Sequence, residues 1–530
     1  MDKVSLTYRP EIDGLRSVAV LAVILYHADF DLFKGGFIGV DVFFVISGFL
    51  ITSILLAYLN RECFSLFKFY ERRCRRILPP LVVMALVVVI IGWFWLLPSD
   101  YRDFGSCLQA MAIFVANHWF FIRTGYFDSA SYTKPLLHTW SLSVEEQFYI
   151  ILPVLLFLLY RRGREDTLKV LLTLFILSLV ASCFWTFYWP EASFYLLPSR
   201  FWELLTGSLL AFWPKSGLPG KRIASLLSGV GLSLIIVSAV FFDHSTYFPG
   251  PGALLPCLGA AIFIIANSPG ARSDRAFLSR SAPVFIGKIS YSLYLWHWPL
   301  LVIPIYVNDA PLSRIMVMTA LGATFIAAYL SWRWVENPVR FRKIFASSKA
   351  IFLASALSLM LLIFIGQAIK QSGGFLSRMP ESALALAKWD GGLYKDPPGT
   401  YLLQSEANGT EFKFKAWDIR PGSPPSFMVM GNSHSRMWLA AIDQLAEEYK
   451  VSGLVVDSFA FKRCLLLKDQ PPETPEQKEC QDRLTAFLDL AQARGVKRVL
   501  WGIRYSYYLG PVMAQTGEAS GPVGEELARD

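Results

Sequence analysis

Over its first 370 residues the chain alternates long apolar runs with short polar ones. A helix needs about 20 apolar residues to cross a bilayer. Eleven runs approach that length: residues 12–31, 38–59, 78–97, 142–160, 168–188, 195–213, 223–242, 252–267, 284–306, 312–332 and 350–370. The clearest are LVVMALVVVIIGWFWLL at 81–97 and AIFLASALSLMLLIFI at 350–365, neither of which holds a charged residue. The weakest, 252–267, is short and contains Pro256. Residues 101–140 are aromatic-rich but broken by polar positions, so they read as a structured extramembrane loop or a re-entrant segment. The pattern predicts an α-helical polytopic membrane protein of ten helices (residues 1–345) plus one more (346–371).

Beyond residue 370 the period changes. Residues 371–425 are rich in Gly, Pro and charge and read as a connector, assigned to 372–425. Then SFMVM (426–430), GLVV (453–456) and KRVLWGI (497–503) have the length and apolarity of buried strands. Amphipathic helical patterns at 436–449 and 482–494 separate them. Strands alternating with helices predict an α/β domain over 426–530 with a parallel sheet.

Composition agrees with this division. The chain is 54% hydrophobic and 17% charged, against about 25% charged residues in soluble domains, which excludes an ordinary soluble enzyme and a disordered chain. The net charge of +9 suggests a polyanion partner until it is located. Residues 1–370 hold 32 Lys and Arg against 21 Asp and Glu, whereas the rest holds 18 against 20. The basicity therefore belongs to the membrane part and marks topology, not a nucleic-acid surface. With the N-terminus placed in the cytoplasm, inside segments carry 25 basic residues and outside segments seven. An odd number of spans then puts residues after 370 outside. The first span, which leads straight into others, reads as an uncleaved signal anchor. Cys464 and Cys480 fall in that outer part and are candidates for a disulfide that would contribute about 3 kcal/mol.

Several groups have the chemistry for a site. Arg16 and His27 are eleven positions apart on the first span, which on a helix places them on one face about 16 Å apart. Ionisable groups inside a membrane usually line a polar cavity or bind a partner, and a neutral His serves as a general base. The alternative is a satisfied pore-facing His and an Arg reaching to the interface. FYERRCRRILPP (69–80) places Arg72, Arg73, Arg75 and Arg76 on one short stretch, suited to phosphate or simply to a basic inside loop. HTWSLSVEEQFY (138–149) holds His138, Glu145 and Glu146. Adjacent carboxylates point about 100° apart on a helix, so at most one faces a shared cavity, and a polar lock is the plainer role. His297 in WHWP and Glu336 in WRWVENPVR are equally compatible with structural and functional roles. GNSHS (431–435) follows a strand and precedes a helix, the setting of an exposed serine nucleophile at Ser433. Such a serine needs a base. His434, adjacent to it, is the only histidine after His297 and is badly placed to serve.

Taken together, YRPEIDGLRSVAVLAVILYHADF (8–30), GGFIGVDVFFVISGFLIT (35–52), FYERRCRRILP (69–79), HTWSLSVEEQFY, ISYSLYLWHWP (289–299) and VENPVR (335–340) resemble the membrane acyltransferase-3 family over about residues 8–345. The added span followed by GNSHS resembles the subgroup fused to a periplasmic SGNH-hydrolase-like domain, such as bacterial O-antigen acetylases and other cell-surface polysaccharide O-acetyltransferases. The resemblance implies an inner-membrane O-acyltransferase that carries acetyl from cytoplasmic acetyl-CoA to a hydroxyl of a lipid-linked or polymeric glycan outside, with no metal. It implies that Arg16 and His27 are the family's paired Arg and His, that Arg73 and Arg76 bind the acyl donor, and that Ser433 is the nucleophile of the SGNH partner. Asn432 stands where the family usually has Asp. The terminal Asp-x-x-His pair is absent and the α/β part is about half the usual size, which implies an incomplete SGNH-like domain: a truncated chain, or one whose outer half is inactive alone. Two other functions suit the same features: a membrane transporter or exporter, and an acyltransferase whose SGNH-like half only binds glycan.

Overall fold

The computed structural model describes residues 7–62, 64–123, 133–213, 220–243, 245–268, 277–308, 312–378, 401–407, 410–419, 425–431, 450, 452–456, 475–496 and 498–502. The chain forms two compact units, Met1–Gly374 and Phe375–Asp530.

In the first unit the described residues form fifteen α-helices: α1 (Pro10–His27), α2 (Gly39–Leu59), α3 (Leu66–Trp95), α4 (Pro98–Ala112), α5 (Ala116–Arg123), α6 (Thr139–Tyr160), α7 (Arg164–Tyr188), α8 (Pro190–Tyr195), α9 (Leu197–Ala211), α10 (Lys221–Phe241), α11 (Gly250–Ala266), α12 (Ser281–Asn308), α13 (Arg314–Leu330), α14 (Asn337–Arg340) and α15 (Ser348–Gln371). A helix lies over each of the eleven apolar runs. Seven are long and apolar enough to cross a membrane: α2, α3, α6, α7, α10, α13 with its continuation, and α15. Helix α1 is eighteen residues long and carries Glu11, Asp13 and Arg16, so its sequence is too charged to stand alone in lipid. Exposed apolar side chains such as Leu172, Ile176 and Val180 on α7 and Leu357 and Phe364 on α15 form the surface that a bilayer would cover. The unit is a polytopic membrane protein.

Three local departures from the apolar pattern shape the unit. Helix α3 starts twelve residues before its apolar run, with Ser65 as its N-cap accepting from the Lys68 amide at 3.4 Å; the arginine stretch is therefore the first part of a long helix. Residues 98–123 are helical as well. Helix α4 buries Tyr101, Phe104, Leu108 and Met111 and packs on α15, where a Cβ at Gly105 would lie 2.8 Å from the Gly366 carbonyl oxygen. Gln109 Nε2 donates to Gln367 Oε1 at 3.0 Å. The helix beyond the tenth apolar run is thus held by a polar clasp as well as by lipid. Between α13 and α14, Ser331–Glu336 form a π-helical turn.

Glycines set the closest helix crossings. An added Cβ at Gly48 of α2 would lie 1.8 Å from the Leu204 carbonyl oxygen of α9, and one at Gly207 of α9 lies 1.9 Å from the Val45 carbonyl oxygen of α2. The same occurs between α1 and α12, where a Cβ added at Gly287 would lie 1.8 Å from the Asp13 carbonyl oxygen. Close backbone approach of this kind holds helices together in lipid, where the hydrophobic effect does not.

In the second unit, strands β1 (Tyr401–Ala407), β2 (Thr410–Ile419), β3 (Phe427–Gly431), β4 (Gly453–Val456) and β5 (Arg498–Gly502) form one sheet in the order β1-β2-β4-β3-β5. Strands β3, β4 and β5 pair in parallel, as the strand–helix alternation predicts. The expected connector over 372–425 needs correction: β1 and β2 lie within it and pair antiparallel as a hairpin, and β2 joins β4 antiparallel. Its alternation (YLLQSEA, TEFKFKAWDI) is that of strands with one polar face, masked at composition level by the flanking Gly and Pro. Helix α16 (Pro475–Ala493) starts seven residues before the predicted 482–494 and buries Ala486, Phe487 and Ala491. The predicted helix over 436–449 lies outside the described residues.

Replacing Gly207 with Ala should destabilise the membrane unit by about 1–3 kcal/mol through overpacking, whereas Gly229→Ala, where nothing lies within 4 Å of the added Cβ, should not. Thermal unfolding of detergent-solubilised variants checks the contrast.

Candidate functional site

Helices α1, α2, α3, α6, α7, α9, α11, α12 and α14 line a cavity of about 1530 Å³. Seven arginines line it (Arg9, Arg16, Arg61, Arg73, Arg76, Arg164 and Arg340), against two carboxylates, Asp13 and Glu145. Carboxylates behind the lining offset only part of the excess. Arg9 is held by Glu11 at 2.7 Å and by the Ile264 carbonyl at 2.8 Å, and Arg16 Nη1 lies 3.6 Å from Asp13 Oδ1. Arg73 packs its guanidinium over the Phe69 and Tyr149 rings, with Nε buried and unpartnered among the described residues. Arg340 reaches Glu336 at 3.4 Å.

The helical register of α3 divides its four arginines. Arg73 and Arg76, three apart, face the cavity. Arg75 is buried on the opposite side, where its Nε meets Glu71 at 2.9 Å and its guanidinium donates to the carbonyls of Val339, Phe345, Ala346 and Ser347. It fastens the turn before α15. Arg72 lies over the Tyr58 ring. The adjacent carboxylates of α6 divide likewise: Glu145 lines the cavity and accepts from Ser47 Oγ at 2.7 Å, and Glu146 does not line it. Glu336 sits behind the cavity, next to Ser292 at 3.5 Å and Arg340, and so orients a cavity arginine.

At one end of the cavity stand Ser141 and Tyr294, their hydroxyl oxygens 2.5 Å apart. Tyr294 Oη donates to the His138 carbonyl at 3.0 Å. Behind this wall lie three imidazoles. The His27 Nδ1 is 3.0 Å from His297 Nε2. The His297 Nδ1 is 2.7 Å from the Tyr294 carbonyl oxygen. The His138 ring is 5.8 Å from that of His297, with both its nitrogens buried and unpartnered among the described residues. Trp298 meets His27 edge-on at 4.6 Å. His297 is fully buried, whereas His27, the last residue of α1, is partly exposed. Arg16 thus lines the cavity and His27 lies beyond its end wall. Among the described residues no group of three His, Cys, Asp or Glu is arranged to hold a metal ion.

Residues 9–333 match the family of acyltransferase domains designated acyltransferase-3, and residues 404–528 match the SGNH domain found fused to such domains. The chain belongs to the acyltransferase-3 family. Relatives include the peptidoglycan O-acetyltransferase OatA of Listeria monocytogenes serovar 1/2a, 36% identical over 352 residues that cover 63% of this chain and 56% of the relative. The O-acetyltransferase OatA of Staphylococcus aureus is 34% identical over 380 residues, covering 67% of this chain and 62% of the relative. The chain therefore spans less than two thirds of the length of these relatives. No solved structure matches it.

Of the sequence candidates, Arg16, Arg73, Arg76 and Glu145 meet at the cavity, His27 and His297 meet behind it, and Glu336 backs it. Ser433 and Cys464, and the side chain of Cys480, lie outside the described residues; β3 ends two residues before Ser433. Sequence reasoning assigned no role to Tyr294, Ser141, Arg9 or Arg340. Tyr294 is three positions before His297 and Ser141 three after His138, so each shares a helix face with a histidine, a spacing that marks them.

The two neighbouring arginines of α3 should behave differently. Arg75→Ala leaves Glu71 with Arg342 at 2.9 Å and Ser348 at 2.9 Å but removes the donor to four carbonyls, and should cost about 1–3 kcal/mol, lowering the yield of folded protein. Arg76→Ala should leave folding intact. Fluorescence-detected size exclusion distinguishes them.

Proposed function

We propose that the chain is an O-acyltransferase of the bacterial inner membrane that moves an acetyl group from cytoplasmic acetyl-CoA to a hydroxyl of a cell-surface glycan. The cavity carries this reading: seven arginines line a space of about 1530 Å³, larger than the ~300–1,000 Å³ of ordinary ligand sites, and its end wall backs onto a histidine pair. A bulky ligand with several phosphates fits that lining, because guanidinium forks match phosphate oxygens. In this reading Arg73 and Arg76 hold the donor's phosphates, Arg16 its pantetheine arm, and the thioester points to the wall at Tyr294.

The distribution of basic residues supports eleven spans, ten in the acyltransferase unit and one added, with a cytoplasmic N-terminus and an outer α/β unit. His27 then sits toward the outer face. Once the Tyr294 ring leaves the His138 carbonyl, an acceptor hydroxyl at His27 reaches the thioester carbonyl. The base takes the hydroxyl proton, the oxygen bonds to the carbonyl carbon, the C–S bond breaks, and the departing thiolate recovers the proton as CoA-SH. The acceptor is the glycan itself or Ser433, which would pass the acetyl group on. Because the relatives bear the names of peptidoglycan O-acetyltransferases, peptidoglycan is the first glycan to try, ahead of O-antigen or lipopolysaccharide. The histidine pair behind the Ser141–Tyr294 wall, 3.0 Å apart, favours an enzyme over an exporter.

Exchanging Arg73 and Arg76 together for Ala should weaken acetyl-CoA binding by about tenfold or more for each lost charge-assisted pair, read by calorimetry on detergent-solubilised protein. His27→Ala should retain binding and abolish transfer of label from acetyl-CoA to glycan. Undiminished transfer by that variant, or solute export without acetyl-CoA consumption, would contradict the proposal.

A further inference from the structure

We infer that His297 is a positioning residue that fixes the tautomer of His27, leaving the Nε2 lone pair of His27 free for proton transfer. The inference rests on the reading of His27 as the base.

It follows from hydrogen-bond chemistry along one line of atoms. A carbonyl oxygen only accepts, so the 2.7 Å contact between His297 Nδ1 and the Tyr294 carbonyl requires a proton on Nδ1. In the neutral ring Nε2 is then an acceptor. Among the described residues the hydrogen-bond and ring neighbours of His297 are His27, His138 and Tyr294, with no carboxylate among them to balance an imidazolium in a fully buried position. Across the 3.0 Å contact, His27 Nδ1 must therefore donate, which leaves its Nε2 unprotonated. The chain Tyr294 carbonyl, His297, His27 has the logic of an acid–imidazole pair in a hydrolytic triad, where the second group selects the tautomer and holds the ring. Here a neutral imidazole fills that role and places no net charge in the membrane, where a carboxylate would be costly.

The fold supports the alignment. Gly287 lets α12 touch the backbone of α1 at Asp13, so the two helices that carry the pair cross without an intervening side chain. Trp298 closes the side of the His27 ring at 4.6 Å. His297 does not line the arginine cavity, so its effect on turnover is separable from donor binding.

The test uses the full chain in detergent, acetyl-CoA as donor and a chitooligosaccharide as probe acceptor, with CoA release as readout. His297→Phe keeps a ring but removes the acceptor, and should lower kcat about 100-fold or more with the KM for acetyl-CoA unchanged. His297→Gln, whose amide oxygen accepts in place of Nε2, should recover about tenfold of that loss. Histidine ¹⁵N NMR, with the His27 signals assigned from a His27→Gln sample, should show a protonated Nδ1 in the wild type. In His297→Phe the proton should move to Nε2. If His27→Ala is inactive while His297→Phe turns over within about threefold of wild type, the inference falls and the base reading stands. If His27→Ala remains active, the base reading falls and takes the inference with it. Should His297→Phe fail to accumulate, the wild-type spectrum decides, because an Nε2-protonated His27 overturns the inference.

Discussion

Seven guanidinium groups converge on one cavity between helices with two carboxylates to answer them, and the rest of the helical unit is organised around that imbalance. Cations within a membrane protein need water, a partner or a ligand. Two buried arginines outside the cavity have protein partners: Arg75 has Glu71 and four carbonyls, and Arg200 has Asp41 and Glu203 in a fully buried triad between α2 and α9. Of those lining the cavity, Arg9, Arg16 and Arg340 each meet one carboxylate, Arg73 lies over two aromatic rings and Arg164 donates to the Phe212 carbonyl. An anionic ligand is the natural complement of such a lining.

The division of labour along α1 follows from helix geometry. Eleven residues after Arg16 the same helix face presents His27, but the cavity ends between them at Ser141 and Tyr294. In the proposed mechanism donor binding and proton transfer fall on opposite sides of that pair. Two glycine crossings, α1 on α12 and α2 on α9, bring the helices around the cavity into backbone contact. A site framed this way depends less on the packing of large side chains than on the absence of Cβ atoms at a few positions.

Much of this was legible in the amino-acid sequence. The apolar runs locate eleven helices, and the resemblance picks out Arg73 and Arg76, whose three-residue spacing puts both on the cavity face of α3. What escaped was what periodicity does not encode. The amphipathic start of α3 and the helices over 98–123 are buried by tertiary contact with polar or mixed sequence. The β1–β2 hairpin lies between Gly- and Pro-rich stretches that dominate the local composition. The pairing of His27 with His297 joins residues 270 positions apart, and only the α1–α12 crossing brings them together.

The central claim is that the arginine cavity receives an acyl-CoA whose thioester faces Tyr294. An electron cryomicroscopy map of the chain with a non-hydrolysable acetyl-CoA analogue tests it most directly. The account predicts phosphate density against Arg73 and Arg76, with the acyl end at the Ser141–Tyr294 wall. Ligand density elsewhere on the protein, or the reverse orientation within the cavity, would contradict it.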